Sequence, residues 1–158
     1  MLNERTDLSS LQEIKETSGK ILSVDFGDVR TGLAVCDTMR FLASGIGYIS
    51  PGGIEKTADA VAEAAREQGA AAIIVGLPKN MDGSEGPRTD VIRAFAALLA
   101  EATDIPIDFY DERMSTMVAY RFLDETGTFG KKRKNAIDTL SAEIILQGYI
   151  DRERQMAK

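Results

Sequence analysis

The sequence has 158 residues, with one cysteine, no histidine and a formal net charge of −6. The single cysteine excludes an intrachain disulfide and a cysteine zinc cluster, and the missing histidines exclude a Ser-His-Asp triad and a histidine-ligated zinc site. Acid–base chemistry is therefore left to carboxylates, lysines, tyrosines or metal-bound water.

The length predicts one domain, which we place at residues 19–152 between an N-terminal extension (1–18) and a C-terminal tail (153–158). Weak apolar spacing in the extension predicts a short helix or a frayed end. The charged N-terminus is unlike a signal peptide, and every apolar stretch is far shorter than the roughly 20 residues that span a membrane. With the lone Cys36, these features predict a cytoplasmic protein with no membrane partner.

Residues 20–53 predict an antiparallel meander of three strands. The segments 21–26, 31–36 and 42–49 have the composition of strands, although Gly45 and Gly47 weaken the third. Gly27 and Asp28 signal a tight turn between the first two. Connections this short favour antiparallel neighbours.

From residue 54 onward the pattern alternates between helix and strand. The predicted helices are 54–68, 87–102, 115–125 and 136–152, the strands are 71–75 and 105–110, and the loops include 76–88 and a basic segment at 128–135. The continuous apolar run 71–75 is typical of a buried parallel strand. The order predicts an α/β domain with a five-stranded mixed sheet, three antiparallel strands followed by two parallel ones, flanked by helices.

Three acidic positions are candidates for chemistry. Asp25 lies near the end of the first strand, where a carboxylate is costly unless it is paired or bound to metal; the alternative is that it caps the Gly27 turn. At the end of the fifth strand Asp111 and Glu112 point to opposite faces if the strand stays extended, and alternation does not choose between them. Asp138 begins the last helix, where it also suits the helix dipole.

Carboxylates from two strands and a helix would form an oxygen-rich site of the kind that Mg²⁺ or Mn²⁺ prefers. Two such ions can activate water and stabilise the leaving oxygen of a phosphodiester without histidine. The acidic net charge counts against a generic nucleic-acid binder, but the basic run 131–134 makes the charge strongly asymmetric.

The chain resembles the YqgF family over residues 20–151. The resemblance rests on Asp25-Phe26-Gly27 with Arg30, on VGLP at 75–78 followed by DGSEGP at 82–87, on Asp111-Glu112-Arg113 with Ser115 and Thr116, and on Lys132 with Asp138. The family is described both as Holliday-junction resolvases and as nucleases that process pre-16S ribosomal RNA. It implies an RNase H-like fold, catalytic and metal-binding carboxylates at Asp25, Glu112 and Asp138, and thus Glu112 rather than Asp111.

Other matched residues are candidate substrate contacts. The loop 76–88 has the glycines and helix N-terminus of a phosphate-binding nest, to which Ser84 and Arg88 would contribute; its glycines would otherwise simply permit a tight turn. Arg30 and Arg113 would bind the scissile phosphate or orient a ligand carboxylate. Lys132 belongs to a basic arm that would make binding salt-dependent.

The predicted function is a metal-dependent endonuclease that matures the 5′ end of pre-16S RNA during ribosome biogenesis, with structured RNA and pre-ribosomal particles as partners. The alternatives are a Holliday-junction resolvase acting on branched DNA and a non-catalytic nucleic-acid-binding or ribosome-assembly factor. An actin-like or sugar-kinase ATPase shares the strand–turn–strand motif at 25–37, but it needs two such lobes and the chain is too short for them.

Overall fold

The computed structural model describes residues 17–80, 82–114 and 131–156, and in the last range it describes the side chains of 140–155. The strands are β1 (Ile21–Asp25), β2 (Thr31–Cys36), β3 (Ala43–Ile49), β4 (Ala72–Leu77) and β5 (Ile107–Asp111). The helices are α1 (Ile54–Gln68), α2 (Pro87–Ala102) and α3 (Lys131–Met156), and a short 3₁₀ turn covers Glu112–Met114.

The five strands form one mixed sheet in the order β3-β2-β1-β4-β5. β1 pairs antiparallel with β2, and β2 with β3, whereas β1 pairs parallel with β4, and β4 with β5. The short turns join antiparallel neighbours, and the crossover through α2 joins the parallel neighbours β4 and β5. The strand order and the mixed sheet predicted from the sequence are confirmed.

Helices cover the two faces of the sheet unequally. α1 and α2 pack on one face, against a core that includes Leu22, Val24, Ile73, Val75, Val61 and Phe95. Among the described helices, α3 covers the other face, where Ile21, Ala34, Ile74 and Tyr110 meet Ala142, Ile145 and Leu146. Successive residues of β1 and β4 therefore enter different cores, as strand alternation requires.

The start of α3 differs from the prediction. The basic segment 131–134 was expected in a loop, but it forms the first turn of α3, which begins at Lys131 rather than at residue 136. Lys and Arg are good helix formers, and the segment contains neither Gly nor Pro to end a helix. The predicted helix 115–125 and most of the N-terminal extension lie outside the described residues.

Two predicted helix ends are confirmed. Gly69 ends α1 in the left-handed conformation at φ 68°, which favours glycine, and its N–H bonds the carbonyl of Arg66. Pro87 opens α2, where its missing N–H costs no hydrogen bond. Within the described part of the chain, no helix combines the length and apolar character needed to cross a membrane.

Candidate active site

Asp25 is the last residue of β1 and lies on the face that α3 covers. Its alternation partners are Ile21, which is buried in the α3-side core, and Ser23, whose hydroxyl donates to the carbonyl oxygen of Ala142 in α3 at 2.7 Å. Because alternate residues of a strand share a face, Asp25 lies at the carboxyl end of the row that packs against α3.

Glu112 reaches the same face from β5. A Cβ at Gly76 of β4 would lie 3.2 Å from Oε1 of Glu112 and 2.5 Å from Cδ1 of Ile145. Gly76 therefore leaves the space in which the Glu112 carboxylate packs between β4 and α3. Gly76 was predicted at the start of a loop, but it lies within β4, and its role was not predicted, although the VGLP motif carried a signal.

The charges of Asp25 and Glu112 interact. Burial and, after it, the negative charge of Asp25 raise the pKa of Glu112 to about 7, with a smaller contribution from Asp111 and an opposing one from the guanidinium of Arg88. The structure thus brings two of the three predicted carboxylates together. A pair of partly buried like charges is favourable only when a proton or a cation neutralises one of them.

Asp111 has a different environment. Arg113 donates from Nε to both carboxylate oxygens at 3.1 Å and from Nη2 to Oδ2 at 2.6 Å. This bidentate pair holds the pKa of Asp111 below its ordinary value. Asp111 alternates with Phe109, which packs on the α1–α2 core, whereas Glu112 alternates with Tyr110 on the α3 side.

The position of Asp138 follows from the direction of α3. Near the C-terminal end of that helix, Glu153 pairs with Arg40 at 3.2 Å, and Arg40 also donates to the carbonyl of Gly19 just before β1. α3 therefore runs antiparallel to β1. One turn back from Ala142 and two residues forward from Ser23 are both steps of about 6 Å toward the same sheet edge. Asp138 thus begins its helical turn at the edge that carries Asp25.

The side chain of Asp138 lies outside the described residues. Among the side chains that are described, no group of three Asp, Glu, Cys or His residues lies close enough to hold a metal ion. Asp25 and Glu112 supply two hard oxygen donors, and their mutual repulsion is what a divalent cation would relieve.

Arg88 holds the turn that follows Asp25. From the first turn of α2 it donates to the carbonyl of Phe26 at 2.6 Å and to Oδ1 of Asp28 at 2.8 Å, and it lies 5.5 Å from the Phe26 ring centre. The turn itself is tight, because a Cβ at Gly27 would clash with the carbonyl oxygen of Arg30. Arg88, predicted as a substrate contact, has these intramolecular partners in the structure.

The loop after β4 is held by its own side chains. Ser84 donates from Oγ to Asp82 at 2.6 Å and accepts from Asn80 at 2.9 Å, while Arg93 of α2 makes a bidentate pair with Glu85. The guanidinium of Arg113 lies beside Gly83. Arg113 therefore links this loop to the end of β5.

The two remaining predicted substrate contacts are Lys132 and Arg30. Lys132 is in the first turn of α3, and its side chain lies outside the described residues. Arg30, in the β1–β2 turn, places its guanidinium 5.3 Å from the ring centre of Tyr48 on β3. Sequence reasoning did not select Tyr48, because a single tyrosine on a strand carries no functional signal of its own.

The fold is shared with solved structures of RuvC from T. thermophilus. RuvC in complex with Holliday junction substrate superposes with a TM-score of 0.52 at 12% identity, covering 87% of this chain and 96% of that one. A second RuvC structure gives 0.51 at 13% identity, with 86% and 96% covered. The chain therefore has the RNase H-like fold predicted for it.

Sequence comparison gives the family. The model of RuvX, described as Holliday junction resolvase, matches residues 19–152, and the chain belongs to this family of nucleases. Relatives named "Putative pre-16S rRNA nuclease" include those of Paracoccus denitrificans, 38% identical with 96% of each chain covered, and Clostridioides difficile, 41% identical over 84% of this chain and 94% of that one. The relative from Pelotomaculum thermopropionicum is 39% identical over 84% and 86%. The YqgF resemblance is thereby confirmed.

Proposed function

We propose that this nuclease is a metal-dependent endonuclease whose ligand carboxylates are Asp25, Glu112 and Asp138. The observation that carries the proposal is the Glu112 carboxylate packed against Gly76, within the field of Asp25 and with its pKa raised to about 7. The pKa of Asp111, which pairs with Arg113, is lowered, whereas the pKa of Glu112 is raised by burial and by the charge of Asp25. Two carboxylates whose charges oppose each other in this way are the arrangement expected of residues that share a cation.

The donor set suits Mg²⁺ or Mn²⁺, hard divalent cations that prefer carboxylate oxygens, and it contains no soft ligand. Bound as a pair, these ions would supply an activated water and charge stabilisation for the leaving oxygen. The protein's own contribution is positional. Gly76 and Ile145 confine the Glu112 carboxylate, and Arg88 fixes the backbone directly after Asp25.

The substrate we propose is structured RNA, with maturation of the 5′ end of pre-16S RNA on pre-ribosomal particles in the cytoplasm as the cellular role. The names of relatives at about 40% identity support this substrate. Four-way DNA junctions are the second candidate, because the family model carries that description. Under either proposal, Arg30, Arg113, Ser84 and Lys132 would contact the substrate near the scissile phosphate.

The test compares cleavage of an RNA with an immature 16S 5′ end and of a four-way DNA junction, each with Mg²⁺, Mn²⁺ or EDTA. We expect Asp25→Asn and Glu112→Gln to lose at least about 100-fold in kcat, and EDTA to abolish cleavage by the wild type. Asp111→Asn is the matched control, because it removes a neighbouring carboxylate that is already paired. Equal loss in Asp111→Asn would contradict the assignment of Glu112, and binding without metal-dependent cleavage would favour a non-catalytic factor.

A further inference from the structure

Tyr48 and Arg30 form a stacked pair that the three carboxylates do not account for. The guanidinium of Arg30 lies 5.3 Å from the centre of the Tyr48 ring, and 39% of Tyr48 is exposed to solvent. A tyrosine in contact with a guanidinium presents both an aromatic surface and a positive charge.

The sheet register places this pair beside the candidate active site. Asp25 pairs with Gly32 of β2, and Gly32 pairs with Tyr48 of β3. Directly paired residues of neighbouring strands share a face, so Tyr48 lies on the same face as Asp25. Two such steps separate their Cα atoms by about 10 Å.

The direction of β3 also matters. β3 is antiparallel to β2, and β2 is antiparallel to β1, so β3 and β1 run in the same direction. Tyr48 therefore lies at the same end of the strands as Asp25, their carboxyl end. Nearer the start of β3, Ala43 packs in the core formed with α3, and Gly45 donates its N–H to Glu143 of α3, so α3 covers this part of the strand. Tyr48 thus lies beyond the part of β3 that Glu143 contacts.

We infer that Tyr48 and Arg30 form a stacking subsite for an unpaired nucleobase of the strand that is cut, within the first few nucleotides of the scissile phosphate. Aromatic rings beside arginines bind unpaired bases by stacking, independent of base identity, while the guanidinium attracts the phosphate backbone. The inference rests on the proposed nuclease function, and it adds a requirement for unpaired strand next to the cleaved bond.

A second copy of this chain is the alternative occupant of the surface around Tyr48. β3 is an edge strand of the sheet, and a second copy of this chain could pair with it and cover Tyr48. The nucleobase is favoured because the pair shares its face and edge with Asp25 and carries a positive charge. Oligomeric state is therefore measured alongside RNA binding.

The test uses full-length protein and an RNA with an unpaired strand across the cleaved bond, carrying 2-aminopurine at successive positions. In EDTA, which separates binding from cleavage, we expect one position to change fluorescence with wild type and not with Tyr48→Ala. With Mg²⁺, Tyr48→Ala should raise KM by about 10-fold or more with kcat changed by less than about threefold, since stacking mainly supports binding. Tyr48→Phe, which keeps the ring, should recover most of the affinity.

Ile46→Ala is the matched control, because it removes another exposed apolar side chain of β3. An unchanged KM and unchanged fluorescence in Tyr48→Ala would overturn the inference, as would equal effects in Ile46→Ala. A change in the mass of the assembly with unchanged RNA binding would also overturn it in favour of a second copy. Failure of the nuclease proposal appears separately, as undiminished cleavage by Asp25→Asn.

Discussion

Charged side chains at the two ends of the central sheet have opposite surroundings. At the end away from the candidate active site, Arg40 is buried, has φ 59°, and donates to Gly19, Thr17 and Glu153 at 2.8, 2.7 and 3.2 Å. Asp37 beside it accepts backbone N–H groups from the hairpin that follows, which lowers its pKa. Each charge there meets a complementary partner.

At the carboxyl edge, Asp25 and Glu112 meet as like charges, and the pKa of Glu112 rises instead of falling. Pairing of charges at one end stabilises the fold, whereas we propose that the unfavourable proximity of like charges at the other end serves metal binding. We therefore expect substitutions at the two ends to separate stability from activity.

Outside the proposed ligand carboxylates, the largest effect on activity is expected from Gly76→Ala. The new Cβ would lie 2.5 Å from Ile145 Cδ1 and 3.2 Å from Glu112 Oε1, so the carboxylate must move. We expect about a 100-fold loss of kcat, since displacements near 1 Å can cost that much. Gly86→Ala is the control, because no atom lies within 4 Å of its added Cβ. Normal cleavage by Gly76→Ala would show that the space beside Gly76 is not needed to position the Glu112 carboxylate.

Arg40→Ala tests the opposite end of the sheet. Removing one partner of a buried pair leaves Glu153 uncompensated, so we expect the free energy of unfolding to fall by about 3 kcal/mol. Cleavage should stay near that of the wild type well below the melting temperature. Arg154→Ala, which breaks an exposed pair with Asp151, should cost less than about 1 kcal/mol. Denaturant unfolding and cleavage rates measure the two effects. A loss of cleavage in Arg40→Ala at a temperature where the variant is folded would contradict the separation of stability from activity.

Glu112→Gln should stabilise the metal-free protein at alkaline pH. A carboxyl whose pKa is raised by folding is best tolerated when protonated, so wild-type stability should fall as pH rises from about 4.5 through about 7. A shift of this size corresponds to about 3 kcal/mol, which the neutral amide avoids. Chemical denaturation in EDTA at pH 5 and pH 8 measures it. A variant with the wild-type pH dependence would remove Glu112 as its source.

The smallest effect is expected from Arg88→Ala. Its guanidinium lowers the pKa of Glu112 while holding Phe26 and Asp28, so its loss should move the acid limb of the metal-dependent rate to higher pH. Arg88→Lys keeps the positive charge but loses the planar guanidinium that donates to two acceptors. It should therefore leave the acid limb of the pH–rate profile nearly unchanged while lowering the stability of the protein. Superimposable pH profiles for wild type and Arg88→Ala would contradict this electrostatic role.

Local sequence patterns were sufficient for the strand order, for the caps at Gly69 and Pro87, and for the face of Asp25. These features depend on short-range physics: the period of a strand, the conformations open to glycine and proline, and the length of a connection. The start of α3 was mispredicted, because a run of Lys and Arg has the polarity of a loop and the propensity of a helix.

The choice between Asp111 and Glu112 shows what the sequence by itself left open. Alternation established that the two side chains point apart, and only the family resemblance favoured Glu112. The tertiary structure supplies the physical reason. Tyr110 packs against α3, so the next residue but one on that face is Glu112, with Gly76 opposite it, while Arg113 holds Asp111. Which face of β5 meets α3 depends on packing between segments distant in the chain, and no local period contains that information.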